Sequence, residues 1–80
     1  MSDARGYSAV LAEQVAAADP SLPGVRLAKA CMARGISVWE VSRKLGVSRT
    51  IIYQWFCGRV SPRPKHLEQI FKMLSEFDAA

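Results

Sequence analysis

The chain has 80 residues, half of them apolar, with 11 Lys and Arg against 7 Asp and Glu for a net charge of +4. A chain of this length forms one domain that buries roughly 60% of its unfolded surface, so a second domain is not expected. No apolar run approaches the roughly 18 residues that span a bilayer, Glu13 interrupts AVLAEQVAAA and no basic stretch precedes it, so the protein is expected to be soluble and cytoplasmic, without a signal peptide.

Helical spacing accounts for nearly all of the chain, with no period-two alternation, hairpin dipeptide or internal repeat. Ser8 is positioned to cap a helix over 9–18, which gathers Val10, Leu11, Val15 and Ala18 on one face and ends at Asp19-Pro20. SLPG, residues 21–24, reads as a turn-rich connector. A second helix over 25–34 carries Leu27, Ala30 and Cys31 at helical spacing, and Gly35 is placed to stop it.

Ser37 is a good N-cap for a third helix reaching Leu45, with Val38, Val41, Ser42 and Leu45 on one face and Glu40, Arg43 and Lys44 on the other. Gly46 falls where a left-handed residue ends a helix at little cost. Val47 then turns into the corner and Ser48 caps a fourth helix, 48–57. On that helix Ile52 and Trp55, and to a lesser degree Ile51 and Phe56, share one direction. Thr50, Tyr53, Gln54 and Cys57 face the other way, and Arg49 lies on the exposed first turn.

After Gly58, RVSPRPKH is an extended basic loop, because Pro62 and Pro64 oppose a helix there. Pro64 can open a last helix that runs to about Phe77, with Leu67, Ile70, Phe71 and Leu74 as its core face and Met73 and Phe77 widening the stripe. Such a wide stripe needs a cover, either the N-terminal helix or a second copy of the chain.

Cys31, Cys57 and His66 are too few for a disulfide framework or a four-ligand zinc site. Both thiols are expected to be reduced, one packed and one near the surface, and neither metal nor cofactor is expected. With one histidine, no carboxylate pair in the basic centre and no Gly-rich phosphate loop, the chain does not read as an enzyme, and no small-molecule substrate is expected. The charge is unevenly spread. Between Val25 and His66 lie nine basic residues and one acid, Glu40, while the other acids sit towards the two ends. Either a polyanion partner or a well-solvated surface accounts for that pattern.

The stretch ISVWEVSRKLGVSRTIIYQWFCGRVSP resembles the helix-turn-helix of the phage repressor and Cro class, without a gap. Ser42 takes the place of the small residue in the first motif helix, Gly46 that of the turn glycine, and Val41, Leu45, Val47, Ile52 and Trp55 the apolar positions. Trp55, Gly58 and Pro62 match the Trp-x-x-Gly ending and the proline after it. The resemblance covers roughly residues 25–74. It implies an all-α, compact four- to five-helix repressor-like domain over 25–77, with the motif at 38–58, preceded by an N-terminal extension, 1–24, and followed by a tail, 78–80.

It also implies double-stranded DNA as the partner and a role as a transcriptional regulator of phage or bacterial source, acting as a repressor. The second motif helix enters the major groove with its N-terminal turn nearest the bases. Arg49, Thr50 and Tyr53 are then the candidates for reading bases, and Ser48, Gln54, Arg43, Lys44, Arg59 and Arg63 for phosphate contacts. Two positions depart from the pattern: Val38 stands where a phosphate-binding glutamine is common, and Cys57 where many relatives have a polar residue. Trp39, beside Val38, reads as a substitute contact or as a lid on the N-terminal helix. Because one short helix covers few base pairs, the resemblance implies a homodimer on a two-fold operator. The competing reading is a small assembly, DNA-packaging or antitoxin-like adaptor that uses the same fold to bind a protein.

Overall fold

The computed structural model describes residues 8–79. Residues 1–7, which open the expected extension, and Ala80, which ends the expected tail, lie outside the described residues. Five helices account for all regular structure among the described residues: α1 (Ala9–Ala17), α2 (Pro23–Arg34), α3 (Val38–Leu45), α4 (Arg49–Phe56) and α5 (Pro64–Ala79). The all-α expectation therefore holds, and no helix among the described residues is long and apolar enough to cross a membrane.

Each boundary has a local cause. The Ser8 hydroxyl accepts the Leu11 N–H at 3.0 Å, and α1 stops when Ala18 swings to extended geometry. In the connector the Asp19 carboxylate accepts from the backbone N–H of Ser21 at 2.9 Å and from its hydroxyl at 2.8 Å. The backbone hydrogen bond, then the hydroxyl, lowers the Asp19 pKa. The second helix begins at Pro23, two residues before the expected start, because proline's fixed φ and missing N–H suit the first turn.

Ser37 and Glu40 cap α3 reciprocally: the Ser37 hydroxyl accepts the Glu40 N–H at 3.1 Å and the Glu40 carboxylate accepts the Ser37 N–H at 3.0 Å. Gly46 ends α3 at φ 67°, ψ 34°, a conformation costly for any residue with a Cβ. Across the bend the Val47 N–H donates to the Ser42 carbonyl at 3.1 Å, and the Ser42 hydroxyl donates to the Val47 carbonyl at 2.5 Å. The small residue in the middle of α3 thus ties the turn at both ends of Val47.

Helix α2 is the centre of the packing and touches α1, α4 and α5, while α3 packs on α4. Leu27 and Val25 from α2, Val41 from α3, Ile52 and Phe56 from α4 and Ile70 from α5 are all fully buried. Leu11 and Val15 carry α1 into the same core. Helices α2 and α4 come unusually close at Gly24, where a Cβ would lie 2.4 Å from the Trp55 carbonyl oxygen. Cys31 is buried beneath them, and loss of solvation pushes its thiol up to about 12.

Several faces differ from the sequence reading. Val10 is 63% exposed, so only Leu11 and Val15 form the buried part of α1. On α5 the stripe is rotated: Met73 is buried and Phe71 is 45% exposed, because Ile70, Met73, Leu74 and Phe77 follow the i, i+3, i+4, i+7 rhythm and Phe71 lies off it. Phe56 is fully buried and Ile51 is exposed, reversing their expected equivalence. Helix α5 runs past Phe77 to Ala79. Its end is held by Arg34, whose guanidinium donates to the Phe77 carbonyl at 2.6 Å and lies 4.7 Å from the Phe77 ring centre.

The close approach at Gly24 yields a direct test of the packing. Gly24→Ala should destabilise the fold by about 1–3 kcal/mol through overpacking against immobile backbone, read as a lower urea midpoint with an unchanged slope.

Candidate nucleic-acid interface

The Gly46 bend delivers α4 with its apolar side inward and its polar side out. Ile52, Trp55 and Phe56 are buried, whereas Arg49, Thr50 and Tyr53 are exposed, with Tyr53 at 40%. At the start of the helix the Ser48 hydroxyl oxygen accepts the Ile51 N–H at 3.3 Å. Its hydrogen remains available to donate. Helix α4 has eight residues and so is about 12 Å long; an α-helix with its side chains, about 10–12 Å across, fits the major groove, about 12 Å wide.

The loop after α4 is fastened to it. The Gln54 carbonyl accepts the Arg59 N–H at 3.0 Å and the Val60 N–H at 3.4 Å. Pro62 is buried, and the Trp55 and His66 rings, 5.3 Å apart, join α4 to the first turn of α5 on either side of the loop. Arg59 and Arg63 therefore project from an anchored segment, and both are exposed.

The nine residues expected to meet DNA do not form one cluster. Thr50, Tyr53, Gln54 and Arg59 line a common groove of about 390 Å³. Arg63 borders a different, more apolar groove with Ile51, Val60 and His66. Arg43 and Lys44 lie on the exposed side of α3 with Trp39 and Glu40. An acid thus stands among the rim cations, but its carboxylate is engaged in the Ser37 cap.

Trp39 is 52% exposed, which overturns the expectation that it lids the N-terminal helix. Its ring lies 4.8 Å from the Arg43 guanidinium carbon instead. Such stacking restrains a long cationic side chain without consuming its N–H donors.

Helix α1 also lines the Arg59 groove, which the sequence did not announce. Ser8, Val10, Leu11 and Gln14 form the opposite wall of the groove that Thr50 and Tyr53 line, and the Cys57 thiol donates to Gln14 Oε1 at 3.2 Å. The two partners are 43 residues apart, so no local pattern announces the contact. Cys57 is half-buried, in accord with the expected near-surface thiol.

Chemically, this arrangement offers hydrogen-bond donors and the planar fork of Arg49 on the exposed face of α4, with Arg59 lining one adjoining groove and Arg63 another. Among the described residues no group of three or more His, Cys, Asp and Glu is placed to hold a metal ion. The model of a family described as helix-turn-helix matches residues 27–75, from α2 into α5, leaving α1 outside. No curated protein and no solved structure matches the chain.

Ser48 has a structural duty that is separable from any ligand. Ser48→Ala should cost about 1 kcal/mol of stability by removing the cap, measured by urea unfolding without nucleic acid, and Ser48→Asp should restore most of it.

Proposed function

Because this chain belongs to the Cro/C1-type helix-turn-helix family, a family of DNA-binding regulators, we propose that it is a sequence-specific double-stranded DNA-binding repressor. The observation that carries the reading is the outward face of α4: Arg49, Thr50 and Tyr53 stand exposed on a helix whose other side is fixed in the core. A rigid helix with polar groups on its open side suits base edges in the major groove, where each base pair presents a distinct donor and acceptor pattern.

In this reading Arg49 donates two parallel hydrogen bonds to guanine O6 and N7. Thr50 uses its hydroxyl, or its methyl against a thymine methyl, and Tyr53 reads an adjacent base or stacks on sugar. Ser48, with the amides of the first turn, meets a phosphate, and Gln54, Arg43, Lys44, Arg59 and Arg63 hold the flanking backbone. The stacked pair of Trp39 and Arg43 supplies a preorganised cation near Val38, whose side chain is buried and bonds nothing polar.

The proposed DNA-binding domain is 25–77, with its motif at 38–58, and residues 1–24 extend it. Two copies bind a two-fold operator, each α4 in one half-site, with the half-sites about 34–36 Å apart. Occupying that operator in the cytoplasm of a bacterial or phage-infected cell blocks transcription. The action is binding alone, without catalysis.

Two substitutions separate reading from grip. Arg49→Ala should reduce the discrimination between operator and random duplex by about 1–3 kcal/mol, whereas Lys44→Ala should weaken both equally and lower the salt slope by roughly one. Equal loss on all sequences for Arg49→Ala would make it a phosphate contact. No affinity for any duplex at low salt would overturn the repressor reading in favour of a protein-binding adaptor.

A further inference from the structure

We propose that α1 is a second DNA-facing element, and that the groove between α1 and α4 seats the sugar-phosphate strand on one side of the major groove. This inference rests on the repressor reading above and extends it to residues outside the matched family segment, 27–75.

Three observations carry it. First, α1 is fixed relative to α4: Leu11 and Val15 are buried in the core, and the Cys57 thiol donates to Gln14 Oε1 across the groove. Second, the groove has the chemistry of a strand site. Its walls include Arg59 and the hydrogen-bonding side chains of Gln14, Tyr53 and Gln54, and among the described residues no carboxylate lines it. Third, an α-helix with its side chains is about 10–12 Å across, so α4 alone fills a major groove about 12 Å wide. A second helix on the opposite wall of the α4 groove cannot enter the same DNA groove. On this proposal α1 rides over the strand that borders it, leaving that strand between the two helices.

The contact with Cys57 also decides what Gln14 offers. The thiol takes one of the two lone pairs of Oε1 and fixes the amide's orientation, which turns the NH2, a group that can only donate, away from Cys57. A phosphate oxygen, which can only accept, is its natural complement. Val10, 63% exposed at the groove wall, supplies an apolar surface for deoxyribose.

The test compares the full chain carrying Gln14→Glu with one carrying Ala16→Glu, an exposed position on α1 outside the groove. Both add one negative charge to the same helix, and far-UV circular dichroism melts of each variant establish that the fold is retained. Gln14→Glu should lower affinity for operator and random duplex alike by about tenfold at 0.15 M salt, because it sets like charges in near contact. Ala16→Glu should change it by less than about twofold, since two residues along a helix turn its side chain about 200° from Gln14, to an exposed face outside the groove where solvent screens the charge. With Gln14→Ala, phosphate-ethylation interference should vanish at one strand position. Equal effects of the two glutamates, or tighter binding by Gln14→Ala, would overturn the proposal and make α1 a cover or a barrier. If the unsubstituted chain discriminates operator through Arg49 while Gln14→Glu binds normally, this inference alone fails. If the unsubstituted chain binds no duplex at low salt, the repressor reading fails first and this inference with it.

Discussion

An eight-residue helix has no independent existence in water, where isolated helices shorter than about 12–15 residues are marginal. Helix α4 has eight residues, so its presence depends on what it buries. Ile52 and Phe56 are fully enclosed and Trp55 nearly so, and burying each such side chain contributes about 1.5–3 kcal/mol. The same burial sets the direction of the opposite face. Arg49, Thr50 and Tyr53 point outward because three neighbours on the helical wheel point inward. Fold and proposed function are therefore two sides of one helix.

Three further features hold that helix in place. Gly46 supplies the left-handed turn, Ser42 bonds across it, and Gly24 lets α2 approach the Trp55 backbone where no side chain fits. None of these residues touches a ligand in the proposed mechanism. They fix orientation, and orientation is what a helix needs if a few side chains are to match base edges within hydrogen-bond distance.

Much of this was legible in the sequence because it is local. Ser8, Ser37 and Ser48 each cap the helix that follows them, and Gly35 and Gly46 stop the helices they follow, as the spacing predicts. The phase of a stripe was less legible: Phe71 and Met73 exchange places because a small rotation of α5 against α2 decides which is covered. Trp39 illustrates a different limit, since nothing in its spacing distinguishes packing on α1 from stacking on Arg43 four residues away. The groove between α1 and α4 was not legible at all. It arises where Gln14 and Cys57 meet after three intervening turns of chain. The assignment of individual contacts to base or phosphate rests on docking geometry, which one chain's sequence does not encode.

The basic centre acquires a finer structure from the fold. Four of its nine cations are set apart: Arg43 and Lys44 together on the exposed side of α3, Arg59 in the groove between α1 and α4, and Arg63 beside the separate groove of Ile51 and His66. In the proposed function these cations meet phosphates on both strands of the duplex. Selection of bound fragments from a random duplex pool, followed by sequencing, tests the central claim most directly. The account predicts enrichment of a short consensus arranged as two symmetric half-sites about one turn of DNA apart; a pool that stays unenriched through successive rounds at low salt would contradict it.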